Sequence, residues 1–161
     1  METTRLDHWV HGIVLALFLG LTFSFGRACR TETDCEYRGH CGNCMTYQEM
    51  FALQEEAKTN LKAIWTAEVT YFSNSNTYAP TFTQIGWNPA PKRNYAYFLA
   101  DDVIKPDMGG PYVLPAGLTS EVTTTSFTAY AVGNLDCDPV VDVWMINDGR
   151  ALKNLVNDAL E

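Results

Sequence analysis

Histidine is scarce in this chain: three in 161 residues, His8, His11 and His40. The first two border an apolar N-terminal segment, so the usual general base of a hydrolase is nearly absent and most enzyme classes lose ground. Basic residues are also few, 11 Lys and Arg against 19 Asp and Glu, for a formal charge of −8. After Arg93 the only cations are Lys105, Arg150 and Lys153, so the acid is concentrated in the C-terminal part. A surface of that sign repels phosphate backbones, and there is no Lys/Arg stripe interleaved with aromatics. Nucleic acid is therefore excluded as a partner, and cations are what the surface attracts. Internal repeats and low-complexity tracts are absent as well. What is present, 47% hydrophobic and 19% charged residues, suffices for one domain with a proper core and one appended segment.

The appendage is N-terminal. Residues 8–26, HWVHGIVLALFLGLTFSFG, contain no Lys, Arg, Asp or Glu, and a spanning helix needs roughly 17 to 25 such residues. Residues 1–28 thus read as a hydrophobic membrane anchor or signal segment. Ser24 and Gly26 offer a small-x-small cleavage pattern, and Cys29 stands where a lipidated cysteine would, although Gly26, Arg27 and Ala28 make a poor lipobox. Flanking charge, Arg5 before the segment and Arg27, Arg30 and Arg38 after it, favours a cytoplasmic C-terminal side.

The cysteines point the other way. Cys29, Cys35, Cys41 and Cys44 form a collar over residues 29–45, with Cys137 alone downstream. In an oxidising compartment four close cysteines make two disulfides, in one of three pairings that spacing does not choose among. Zinc held by thiolates and His40, or free thiols, are the alternatives, but only Cys41 and Cys44 have CxxC spacing. Cys44 is followed by Met45, which removes the CxxCH that covalent haem attachment requires. A thiol oxidoreductase would in addition need a βαβ context that is missing.

Residues 46–161 read as an α+β head. Residues 46–74 hold neither Gly nor Pro, and Met50, Leu53, Ala57, Leu61, Ile64, Trp65 and Phe72 follow the 3.6-residue period of an amphipathic helix. Thr46 and Glu49 fit a capping box, and the run from Ser73 to Asn76 offers a stop. Residues 75–93 carry three prolines and read as a surface loop pinned by Tyr78, Phe82 and Trp87. Residues 94–100, 126–133 and 140–146 have strand character, the second as a half-buried strand, with 101–115 as loop. Asp148-Gly149 signals a type I′ hairpin into a last strand, with a short terminal helix over ALKNLV as the alternative. The expected fold is a long amphipathic helix packed on an antiparallel sheet of about four strands, preceded by a hydrophobic N-terminal helix, since neither helix nor sheet buries its apolar side alone.

Within this head GNLDCDPVVDVW, residues 133–144, spaces oxygen donors as a calcium loop does. Asn134, Asp136 and Asp138 stand at positions one, three and five, the Val140 carbonyl at seven and Asp142 at nine. Pro139 occupies the position of the usual turn glycine, and Met145 that of the bidentate Glu. The competing reading is a solvated hairpin loop whose carboxylates cap turns. Asp101, Asp102 and Asp107 form a second acidic loop without ligand spacing.

The stretch EEAKTNLKAIWTAEVTYFSNSNTYAPTFTQIGW, residues 55–87, resembles the helix and following loop of type IV pilins and pseudopilins. It carries Ala57-x-x-Asn60-Leu61-x-x-Ile64 and, later, Tyr78 followed after six residues by Ile85-Gly86. NYAYFL and FTAYAVGNLDCDPVVDVWMINDGRALKNLVND resemble the terminal sheet of the same proteins, so the likeness covers roughly residues 47–158. The resemblance implies a non-enzymatic structural or assembly subunit of the bacterial cytoplasmic membrane, with a periplasmic or extracellular head and other protein subunits as partners. It also fits Ca²⁺ in the C-terminal loop, which pseudopilins often hold.

The N-terminus departs from the family. Pilins are cut after a Gly, and the mature chain begins with Phe, carries a Glu at its fifth residue and enters the membrane at once. Cutting here after Gly26 leaves RACRT with no apolar helix beyond, so the resemblance extends to the head and not to the anchor. An exported monomeric binding module, with Trp87, Tyr95, Tyr97 and Trp144 around a small-ligand or glycan site, is the second expectation.

Overall fold

The computed structural model describes residues 47–110, 113–136 and 139–160. The anchor 1–28, the collar 29–45 with its four cysteines, Thr46 of the capping box, Cys137 and Asp138 lie outside the described residues.

The Gly- and Pro-free stretch forms one helix, α1 (Tyr47–Ser75). Its buried positions are Met50, Gln54, Ala57, Leu61, Ile64 and Glu68, spaced alternately by four and three, which keeps all six on one face. The helix ends where Asn76 takes a left-handed φ of 55° and its N–H donates to the Phe72 carbonyl at 2.8 Å; asparagine tolerates that conformation and satisfies one of the last carbonyls. At 29 residues the helix runs about 43 Å. No helix among the described residues is long and apolar enough to cross a membrane.

The strands are β1 (Ala96–Leu99), β2 (Asp102–Ile104), β3 (Glu121–Val122), β4 (Phe127–Gly133), β5 (Asp142–Asn147) and β6 (Lys153–Val156), followed by a 3₁₀ turn, Asp158–Leu160. They form one six-stranded antiparallel sheet in the order β2-β1-β4-β5-β6, with β3 paired to β4. The α+β architecture is as expected, but the sheet has six strands rather than about four. The extra ones are β2, which lies in the segment read as loop, and β3, in a stretch given no assignment, because two or three residues are too few to display a period of two.

β4 is the centre of the sheet. Its partners across β1 and β5 include Phe98↔Tyr130 and Ala131↔Trp144. One face carries Tyr97, Leu99, Phe127, Ala129, Ala131, Trp144 and Ile146 into a cluster with Met50, Ala57, Leu61 and Ile64 of the helix. The other carries Ala96, Phe98, Tyr130, Val132 and Val143, with Leu114, Leu118, Val141, Met145 and Val156 packed on them. β4 is therefore buried on both faces instead of half-buried, because the segment around Leu114 and Leu118 roofs the sheet opposite the helix. That segment is tied down where Ser120 Oγ donates to the Thr128 carbonyl at 3.0 Å. Each large side chain in these clusters contributes about 1.5 to 3 kcal/mol of burial.

The Asp148-Gly149 hairpin joins β5 to β6 as a strand pair, and the terminal-helix alternative over ALKNLV is not formed. Its turn is not type I′. Positive φ falls at Arg150, at 59°, and at neither Asp148 nor Gly149. The Arg150 N–H donates to the Asn147 carbonyl at 2.8 Å, and Asn147 Oδ1 accepts from the Ala151 N–H at 3.0 Å. Stretching the loop by the Arg150 residue makes this a longer turn than the two-residue one that the dipeptide signals.

Candidate functional site

Two polar residues interrupt the buried face of α1, and each meets a carboxylate or supplies one. Gln54, 3% exposed, donates from Nε2 to Asp142 Oδ1 at 3.1 Å and to Asn157 Oδ1 at 2.8 Å. Asp142, fully buried, also accepts at Oδ1 from Asn154 Nδ2 at 3.0 Å. At Oδ2 it accepts from the Tyr95 hydroxyl at 2.6 Å and from Trp144 Nε1 at 2.6 Å. Four neutral donors thus fill both oxygens, which is what keeps an ion without a countercharge tolerable inside a protein. Burial, then the charge of Asp142 and the bond to it, hold the Tyr95 hydroxyl far above its ordinary pKa, so it stays a donor.

A second hub is Glu56. Its oxygens accept from the Asn94 backbone N–H at 3.2 Å, from Asn94 Nδ2 at 2.9 Å and from the Tyr97 hydroxyl at 3.1 Å. Asn60 Nδ2 in turn donates to the Tyr97 oxygen at 2.7 Å. One turn of helix therefore fixes where β1 begins.

The third carboxylate is Glu68, fully buried. Its Oε2 accepts from the Ala79 N–H at 3.1 Å, while Oε1 is buried with no hydrogen-bond partner. Burial pushes this carboxyl up to about 7, partly opposed by the Ala79 bond. Three residues further along the same loop, Asp102 Oδ2 accepts from the Phe82 N–H at 2.9 Å.

The second acidic loop behaves as capping groups do. Asp102 holds Phe82. Asp107 accepts from the Lys92 N–H at 2.8 Å and pairs with the Arg93 guanidinium, fastening the end of the surface loop to the segment after β2. Asp101 is exposed. A wide, open cleft of about 610 Å³ lies beside it, lined by Pro80, Thr81, Thr83, Ala100, Asp101 and Asp102.

Among the described donors of 134–142, Asn134 and Asp142 hold partners within the protein. Asn134 Nδ2 donates to the Val140 carbonyl at 2.9 Å, closing the loop on itself. Asp136 is 6% exposed and has partners. The Leu135 N–H donates to Asp158 Oδ2 at 2.6 Å, so the 3₁₀ turn carboxylate holds the base of the loop. Asp142 faces the helix with both oxygens engaged and offers none to an ion shared with Asn134. Among the described residues no group of three His, Cys, Asp or Glu is placed to hold a metal.

Three of the four aromatics of the ligand-pocket expectation are core residues, and the fourth, Trp87, is half-buried against them. Tyr95 and Tyr97 are fully buried and Trp144 is 9% exposed. Trp87 packs edge-on against Tyr97, ring centroids 5.3 Å apart, and the Lys58 ammonium lies 4.8 Å over the Trp144 ring. They line no open sugar platform. The half-buried hub Glu56 and the buried Gln54 and Glu68 were not singled out from sequence; the signal was there for the last two, since they fall on the helix period among apolar residues.

No family model matches the chain. Part of it is similar to the type IV major pilin protein PilA of Myxococcus xanthus (strain DK1622), at 43% identity over 44 residues. That stretch is 27% of this chain and spans only 20% of the pilin's length.

Proposed function

We propose that the chain is a non-enzymatic, pilin-like structural subunit that works within a larger protein assembly. The observation that carries this reading is the union of one long helix laid on an antiparallel sheet with a 44-residue likeness to a major pilin. Two carboxylates support it from the chemical side. Asp142 and Glu56 accept from amides, hydroxyls and an indole, the work of fixing helix against sheet rather than of activating a substrate.

In this reading residues 1–28 anchor the chain in the bacterial cytoplasmic membrane, and the head stands in the periplasm or outside the cell. Its contribution to a fibre, secretion apparatus or membrane complex is made through surface contacts with neighbouring subunits, and no catalysis is involved. The cysteine collar, disulfide-bonded in an oxidising compartment, would stiffen the junction between anchor and head. Calcium at Asn134, Asp136, Asp138 and the Val140 carbonyl would order the loop between β4 and β5.

Native extraction of the full chain tests the reading. The protein should fractionate with membranes, in particles several times larger than one 18.0 kDa chain. Recovery as a cleaved, soluble monomer would overturn it in favour of the exported binding module. Mass spectrometry of the same material fixes cleavage, lipidation and disulfides together.

A further inference from the structure

The first part of the loop between α1 and β1 is held to the body of the domain through carboxylates at the Ala79 and Phe82 N–H groups. Glu68 of the helix takes the Ala79 N–H, and Asp102 of β2 takes the Phe82 N–H. The two are not equivalent. Asp102 is partly exposed and keeps contact with water, whereas Glu68 is fully buried and its Oε1 meets no donor or acceptor.

The surroundings of Glu68 supply no compensating cation. From the loop it is faced by Tyr78, whose ring packs 4.6 Å from Phe72 and 5.0 Å from Phe127. Burial first, then Asp148 of the turn after β5 and Glu68, raise the Tyr78 hydroxyl above its ordinary pKa. The cation on that turn, Arg150, is stacked 4.9 Å over Trp65, three residues earlier on the helix. Phe127 of β4 adds an apolar wall. Ion pairs among the described residues are Lys58–Glu55 and Arg93–Asp107, both elsewhere. An ionised carboxylate in this place has one oxygen stranded and no ion pair among the described residues, and the least costly relief is to carry it to water.

We propose that Glu68 is a proton-controlled latch on the loop. Protonated, it stays in the apolar interface and holds Ala79 down. Ionised, it swings to solvent and releases the segment from Asn76 to Phe82, hinged at the Asp102 clamp, baring the Tyr78 ring and the Phe72 and Phe127 surfaces beneath it. The inference is independent of the assembly reading, because it concerns the head alone.

The physical coupling follows from linkage. A carboxyl that prefers its proton in the closed state favours closure by up to tenfold per pH unit between its ordinary value and its closed-state value, and by nothing further above it. Amide exchange on the full chain at pH 5 and pH 8, corrected for the intrinsic pH dependence of exchange, reads this directly. Protection of peptides covering 76–82 should fall at least tenfold at pH 8, while peptides covering β4 hold theirs. Glu68→Gln, which keeps an acceptor for the Ala79 N–H and cannot ionise, should abolish the difference. A change below twofold in the parent chain, or an equal fall in Glu68→Gln, overturns the latch. Should that variant fail to fold, carboxyl NMR of the parent decides: the Glu68 titration midpoint must coincide with the loss of loop protection, and a mismatch overturns the proposal.

Discussion

The Tyr95 hydroxyl donates to Asp142 at 2.6 Å, joining the residue that leads into β1 to the first residue of β5 across the central strand. Gly133 makes this reach feasible. It ends β4 opposite Asp142, and a Cβ there would stand 2.8 Å from the Tyr95 ring. The bond, the glycine and the buried carboxylate form one unit, with Gln54 bringing the helix into it.

Replacing the carboxylate tests the hub. Asp142→Leu removes the acceptor from four buried donors and should cost about 3 to 5 kcal/mol of unfolding free energy. Asp142→Asn should cost less, about 1 to 2 kcal/mol, because Gln54 and Asn154 are amides that turn their oxygens toward the new NH₂ while Tyr95 and Trp144 keep an acceptor. Urea denaturation of both variants measures the gap. Equal losses would show that the hydrogen bonds to Asp142 do not govern its contribution.

Gly133→Ala tests the close approach. The added methyl meets the Tyr95 ring at less than van der Waals distance, so the ring must shift and its bond to Asp142 lengthen. An overpacking cost of about 1 to 3 kcal/mol is expected. If the variant melts with the parent chain, the ring has room that the geometry denies it.

Stability should also depend on pH through Glu68. Its carboxyl is raised from 4.5 to about 7 in the folded chain, so folding retains a proton that the unfolded chain releases. The contribution is fully present below pH 4.5 and is lost as pH rises to 7, by about 3 kcal/mol in all. Chemical denaturation across that window should give a falling limb that is flat in Glu68→Gln. Parallel limbs in the two proteins would assign the slope to other groups.

Calcium gives a discriminating pair. If the 134–142 loop holds the ion, melting with Ca²⁺ should exceed melting with chelator by several degrees, about 1 kcal/mol or more for a domain this size. Asp136→Asn should erase the difference and Asp142→Asn should preserve it, since Asp142 is committed to the core. Loss of the calcium response in Asp142→Asn alone would return that residue to the ligand set.

Much of this molecule is written locally. The 3.6-residue period over 46–74 predicts a helix that runs Tyr47–Ser75, while strand-like composition at 94–100 and alternation at 126–133 and 140–146 place β1, β4 and β5 within a few residues of where they form. Tyr78, Phe82 and Trp87 pin the following loop because a proline-rich segment crossing a surface needs apolar anchors. Such features depend on neighbours within a turn or two, which a sequence displays directly.

The tertiary structure alone decided the rest. Asp142 sits at the ninth place of a calcium-like spacing, but its partner Gln54 lies 88 residues away, and no local pattern carries that pairing. Glu68 fits a helix period as well as any residue, and only the arrival of Ala79 and Tyr78 over it makes the position dry. β2 and β3 are too short to show alternation, and β4 is buried on both faces only because Leu114 and Leu118 fold back across it. Sequence determines which faces are apolar, whereas the fate of a polar group on such a face is set by whichever distant donors the fold brings to it.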